Sequence, residues 1–217
     1  MSENLVDQAH KGLVIFCGAG VSMVPPTCLP SWWQMNEEVI RALCNQIIPY
    51  VPPGKADYWA QAINERRDSR RFPPEFQAEL ITKHFGHTYF DVLSCLDGDT
   101  PNTVHLAIAE LAKAGHVRAV ITTNFDRVLE AAFTQAETPF DVHFSQAHFE
   151  TLATSLDTAF DKPACQLIKL HGSVADPLTL VDTLAQRMRG LSPAVVTCLD
   201  HLLTADEFVK DVAVRTA

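Results

Sequence analysis

Three short polar segments carry the residue types from which a reaction could be built. Gly18-Ala19-Gly20-Val21-Ser22 offers glycines whose backbone amides can come close to a phosphate, with a helix start to follow. Thr122-Thr123-Asn124-Phe125-Asp126 sets an amide two residues before a carboxylate. Lys169-Leu170-His171-Gly172-Ser173 presents an imidazole, the side chain best suited to accept a proton near neutral pH. Each has a plainer alternative. The first reads equally as a tight strand-to-helix turn, and Met23 stands where the common dinucleotide fingerprint has its third glycine. In the second, Asp126 could cap a helix and Asn124 could brace a turn. The third could hold a satisfied core histidine. The three together are more specific than any one alone.

All three segments follow a strand pattern. Gly12–Cys17 is a continuous apolar run, as expected of a parallel strand buried on both faces. Val117–Thr122 is a second such run and Gln166–Leu170 a third, with Phe140–Phe144 an expected edge strand. Between them lie helical patterns. Ser31 and Gln34 form a capping-box pair ahead of Trp32, Met35, Val39, Leu43 and Ile47, which recur at helical spacing. Pro49, Pro52, Pro53 and Gly54 close that helix. Residues 55–97 read as further helices interrupted by Pro73-Pro74 and Gly86. Val104, Ile108 and Leu111 mark a helix stopped by Gly115, and Asp126–Thr134 another. From Leu178 the pattern is helical, with Gly190 and Pro193 separating two helices. Strands alternating with helices predict an α/β fold: a Rossmann-like parallel sheet with helices on both faces and a helical insertion at about 36–100. Ligands of such sheets bind beyond the carboxyl ends of the strands, where all three segments fall.

The 217 residues are 47% hydrophobic and 20% charged, with a net charge of −9. An acidic balance argues against an electrostatic grip on nucleic acid. No apolar run approaches a membrane span, and the amino terminus has no signal-peptide pattern, so a cytoplasmic protein is expected. The six cysteines form no C-x-x-C pair, so neither a zinc module nor any other metal site is expected.

The motifs GAGVS, Pro30-Ser31-Trp32, TTNFD and KLHGS, in this order and spacing, resemble the sirtuin-like (silent information regulator) superfamily. They are most similar to its bacterial branch that hydrolyses NAD in anti-phage defence. The resemblance spans roughly residues 10–175 and implies one domain over 1–217, with truncation of the last part of the fold as a further expectation. It implies that Gly18, Ala19, Gly20, Val21 and Ser22 cradle the phosphates of NAD. It implies that Trp32 lies in a cofactor-binding loop and that Asp126 engages the nicotinamide end. Thr123, Gly172 and Ser173 complete the expected cofactor-binding set, and Asn124 and His171 are the expected catalytic pair. Sirtuin deacylases carry a zinc module of four cysteines in two pairs. Its absence here shifts the expectation from deacylation to NAD cleavage, with no metal.

The chemistry suits these residues. Nicotinamide leaves as a neutral molecule, so the site needs a polar seat for the ring, support for an oxocarbenium-like ribose and a directed nucleophile. Asp126 is expected to hold the nicotinamide end, Asn124 to orient ribose or water, and His171 to take a proton. The resemblance further implies an effector restrained within a homo-oligomer, or by a sensor domain or partner protein. The alternatives are a non-catalytic NAD or ADP-ribose binding module and an NAD-dependent deacylase. Other features read plainly. The arginine-rich run 65–71 is a solvated helix face, His84 and His87 lack a third metal ligand, and Cys17 is a small buried hydrophobe.

Overall fold

A computed structural model of the chain describes residues 12–46, 55, 58, 73–86, 88–159 and 163–204. Ile47, the turn at 49–54, the arginine-rich run at 65–71 and His87 lie outside the described residues. Four strands form one parallel sheet: β1 (Leu13–Cys17), β2 (Val117–Thr122), β3 (Phe140–His143) and β4 (Cys165–Lys169), in the order β1-β2-β4-β3. The expected edge strand is β3. Every residue of β4 is buried, as is all of β2 except Arg118, which fits central strands covered on both faces.

The pleat sends alternate residues to opposite faces. Val120 and Leu167 pack with Ile108 and Ala112 of α4 (Thr103–Lys113) and with Leu129 and Phe133 of α5 (Val128–Gln135). Ala119, Ile121 and Ile168 face the other way. There they meet α6 (Gln146–Ala153), α7 (Leu156–Ala159) and α9 (Pro193–Thr204) through Phe149, Leu152, Ala159, Cys198 and Leu202. Phe133, Leu167, Ile168 and Leu202 have no measurable exposure, and burying a side chain of this size contributes roughly 1.5–3 kcal/mol.

A third apolar cluster lies over the carboxyl ends of the strands. It joins Met35 and Val39 of α1 (Trp32–Gln46) to Ala78 of α2 (Pro74–Phe85) and Tyr89 and Phe90 of α3 (Thr88–Val92). Phe125, Val174 and Leu180 reach it from the loops after β2 and β4. The Ser31–Gln34 capping box forms as expected: Ser31 N–H donates to Gln34 Oε1 at 2.8 Å, and Gln34 N–H to Ser31 Oγ at 3.3 Å.

Three expectations are corrected. β1 is not buried on both faces: it is an edge of the described sheet, bonded only to β2, and Phe16 is 56% exposed. The helix expected from Asp126 begins at Val128, because Asp126 stays outside it and accepts a hydrogen bond from Val128 N–H at 3.1 Å. The helical reading from Leu178 gives way to a 3-10 turn (Pro177–Thr179) and extended backbone at Leu180, before α8 (Leu184–Met188).

Candidate active site

The parallel register brings the three motifs together. Cys17 pairs with Thr122, and Thr122 with Lys169, so the last residues of β1, β2 and β4 stand level. The backbone keeps them joined one step further, with Thr123 N–H donating to Cys17 O and Leu170 N–H to Thr122 O. A cavity of about 300 Å³ opens there, lined among others by Ala19, Ser22, Trp32, Thr123, Asn124, Asp126 and His171.

One wall of this cavity is a closed hydrogen-bond network. Asn102 caps α4, its Oδ1 accepting from Val104 and His105 N–H, while its Nδ2 donates to the carbonyls of Val21 and Val24. The N-cap of α4 thereby holds the glycine loop from behind. Asn102 N–H donates to His105 Nδ1 at 3.3 Å, which leaves the imidazole proton on Nε2. That proton is donated to Ser22 Oγ at 3.2 Å. Asn124 Nδ2 donates to the same oxygen at 3.3 Å, and Ser22 in turn donates to Asp126 Oδ2 at 3.1 Å. A hydroxyl has one proton to give and two lone pairs to accept with, so Ser22 is saturated. Burial holds His105 neutral, its pKa pushed down to about 4. Asn124 Oδ1, by contrast, has no partner among the described residues and is available to a ligand as an acceptor.

Asp126 is only 7% exposed. Burial raises its pKa, opposed by the Val128 N–H, the charge of Lys169 and the Ser22 hydroxyl. Lys169 is the buried cation beneath the site. Its ammonium shares three protons among four acceptors, Asp126 O at 2.6 Å, Glu130 Oε1 at 2.8 Å, Ser173 Oγ at 3.1 Å and Phe125 O at 3.3 Å. It thus ties the loop after β2 to the loop after β4.

The other wall is aromatic and only partly bonded. Trp32 stands edge-on to Phe125 at 5.6 Å between ring centroids, and Phe125 lies 6.4 Å from the His171 ring. The His171 ring nitrogens make no hydrogen bond among the described residues. Burial, and then the charge of Arg187, push its pKa down to about 4, with Glu75 partly opposing. Arg187 bonds Glu75 at 3.0 Å and stacks 5.9 Å from the Trp32 ring. Trp32 Nε1 and Arg187 Nε are buried donors without a partner among the described residues.

The remaining motif residues lie just outside the cavity lining. Gly18, Gly20 and Val21 belong to its loop, where Val21 N–H donates to Gly18 O. Gly18 has φ −121°, and a Cβ there would meet Thr123 Oγ1 at an ordinary 3.8 Å, so neither backbone conformation nor packing in this structure demands glycine. Gly172 differs: its φ is +83°, and a Cβ would fall 2.2 Å from Thr179 O, so the turn itself requires it. Ser173 is fully buried on Lys169. Cys17 is 3% exposed, its thiol pushed up to about 11 chiefly by burial. Among the described residues no group of three His, Cys, Asp or Glu could hold a metal ion, and no helix is long and apolar enough to cross a membrane.

Comparison with protein families matches residues 118–209 to the SIR2-like domain. That stretch of the chain is similar to a SIR2-like domain. The match spans β2 to α9 and contains Asn124, Asp126, Lys169 and His171. SIR2-like domains use NAD, so this similarity points to an NAD-related activity. No curated protein matches the chain. Five residues of the site were not singled out from sequence: Asn102, His105, Lys169, and the Glu75–Arg187 pair, which no local pattern marks. Asn102 and His105 carry a legible signal in Asn-x-x-His ahead of an apolar helical run, a capping box with an unusual third residue. Lys169 sits inside a quoted motif, but nothing in sequence tells a buried lysine from an exposed one.

Proposed function

We propose that the chain is an NAD glycohydrolase, cleaving the nicotinamide–ribose bond to give nicotinamide and ADP-ribose or its cyclic form. The observation that carries this reading is the pairing, in one cavity, of a polar network centred on Ser22, which leaves Asn124 Oδ1 open and ends on Asp126, with an imidazole at His171 that makes no hydrogen bond among the described residues. A buried carboxylate without a full counter-charge suits a pyridinium cation, which Asp126 and the aromatic wall of Trp32 and Phe125 would seat. NAD supplies the labile bond. Asn124 Oδ1 accepts from a ribose hydroxyl or from water and orients it. As the C1′–N bond breaks, its electron pair neutralises the departing nicotinamide. The water oxygen bonds to C1′ and its proton passes to His171. In the unliganded site His171 is ready to accept that proton because it is neutral at pH 7.

The biological reading follows the resemblance: a cytoplasmic effector of bacterial anti-phage defence, restrained within an oligomer or by a sensor partner. The first experiment is nicotinamide release from NAD by the purified chain, without acylated peptide, beside Asn124→Ala and His171→Ala. Release by wild type alone supports hydrolysis. Release that needs an acylated peptide replaces the proposal with deacylation. A melting-temperature rise with NAD and no release replaces it with a binding module.

A further inference from the structure

The far side of His171 belongs to a second and larger cavity, about 600 Å³, at the carboxyl ends of β3 and β4. His171 and Arg187 line both cavities, and Arg189 lines the second alone. Their charges differ in sign. Asp126 and Glu75 line the first, against Arg187. Among the described residues no Asp or Glu lines the second, although the chain carries 26 acidic residues against 17 basic ones. The Arg189 side chain has no ion-pair or hydrogen-bond partner among the described residues, and Arg187 Nε has none there either. Ser145 and Ser192 place the amino-terminal ends of α6 and α9 at the same rim, adding partial positive charge. Phe144 and the exposed Leu178 and Leu191 supply apolar wall beside the arginines. An acid-free, two-arginine hollow with flat apolar walls suits a ligand that is anionic at one end and planar at the other.

We propose that this second cavity binds a nucleoside phosphate, the phosphate on Arg187 and Arg189 and the base against Phe144, Leu178 and Leu191. The ligand is either a free nucleotide bound beside His171 or the adenylate end of a dinucleotide that passes it. The latter rests on the NAD reading above; the former does not.

Direct calorimetric binding of adenosine 5′-monophosphate tests the proposal without any turnover. Wild type should bind the nucleotide more tightly than either adenosine or inorganic phosphate. Arg189→Glu should weaken binding by at least about tenfold, the scale of a lost charge-assisted contact, with an unchanged melting temperature. Leu178→Asp, a second change at an 83% exposed position, should also weaken it. Asn124→Ala should leave it unchanged. If NAD displaces the monophosphate and itself binds Arg189→Glu more weakly, the occupant is the dinucleotide's own adenylate. If both bind together, it is a free nucleotide. Absence of monophosphate binding overturns the proposal, as does binding lost in Asn124→Ala and kept in Arg189→Glu. Because the readout is binding, a chain that fails to hydrolyse NAD can still support or overturn it.

Discussion

The two walls of the cavity each hold a histidine with its pKa pushed down to about 4 by burial, and the two have little else in common. His105 is fully buried, with Nδ1 and Nε2 both bonded, and it passes the direction set by Asn102 N–H on to Ser22 and Asp126. His171 is partly exposed and borders two cavities, with neither ring nitrogen bonded among the described residues. A low pKa therefore does not distinguish a fully bonded structural imidazole from one open to a ligand; the count of unmet hydrogen bonds does. The polar wall is preorganised, and its residues should carry stability and activity together. The aromatic wall has bonds still to make, and its residues should carry activity alone.

The sharpest way to break that contrast is His171→Ala. Loss of a general base costs roughly 10²–10⁴ in rate, so kcat for NAD hydrolysis should fall by that much. The melting temperature should scarcely move, since no side-chain hydrogen bond is lost. A variant that keeps most of its turnover removes His171 from the chemistry.

Lys169→Met tests the floor under the polar wall. The ammonium is 1% exposed and joins Glu130 to the carbonyls of Phe125 and Asp126, so its removal strands a partly buried carboxylate. Breaking a buried pair in this way costs about 3–5 kcal/mol, read as a lower urea midpoint. If instead stability holds and only activity falls, Lys169 faces the ligand and not the fold.

His105→Ala should be milder, about 2–3 kcal/mol, because it leaves Asn102 N–H without its acceptor and opens a small hole. Its pH signature is more diagnostic. The folded protein refuses a proton that the unfolded chain takes up near pH 6.5. The His105 contribution is therefore full above that pH and is lost as pH falls toward about 4. The variant should lack that part of the acid-side decline in stability. An identical decline in wild type and variant would mean that His105 is not the group responsible.

The parts of this arrangement that sequence made legible are those governed by local pattern. Val117–Thr122 reads as a buried strand because six residues suffice to show it, and Ser31-x-x-Gln34 announces its own cap. The meeting of Asn124, Asp126 and His171 was legible only because each motif follows a strand and parallel strands end on one side. The polar network was not, since Ser22, His105 and Asn124 are joined across separations of 83 and 102 residues. β1 misled for a related reason. An apolar run shows that a strand can be covered, but whether it has one neighbour or two depends on pairings made elsewhere. The turn at Gly172 needs glycine because Thr179 O closes on it, a contact no spacing rule contains.

The smallest expected effect separates the titrating groups within the aromatic wall. A free histidine would place the acid limb of kcat/KM near pH 6.5, whereas a buried His171 beside Arg187 places it below about pH 5. Asp126 titrates in the same site, so the limb alone does not assign the group. Arg187→Met does. Removing that positive charge makes the imidazolium easier to form, and leaving Glu75 without its partner acts in the same direction, so the His171 pKa rises. The charges acting on Asp126 are those of Lys169 and Asp97, which the substitution leaves in place. The acid limb should therefore move to higher pH by less than about one unit, since burial is the larger cause and remains. A limb that stays fixed in Arg187→Met assigns the titration to Asp126 and makes His171 a spectator of the pH profile.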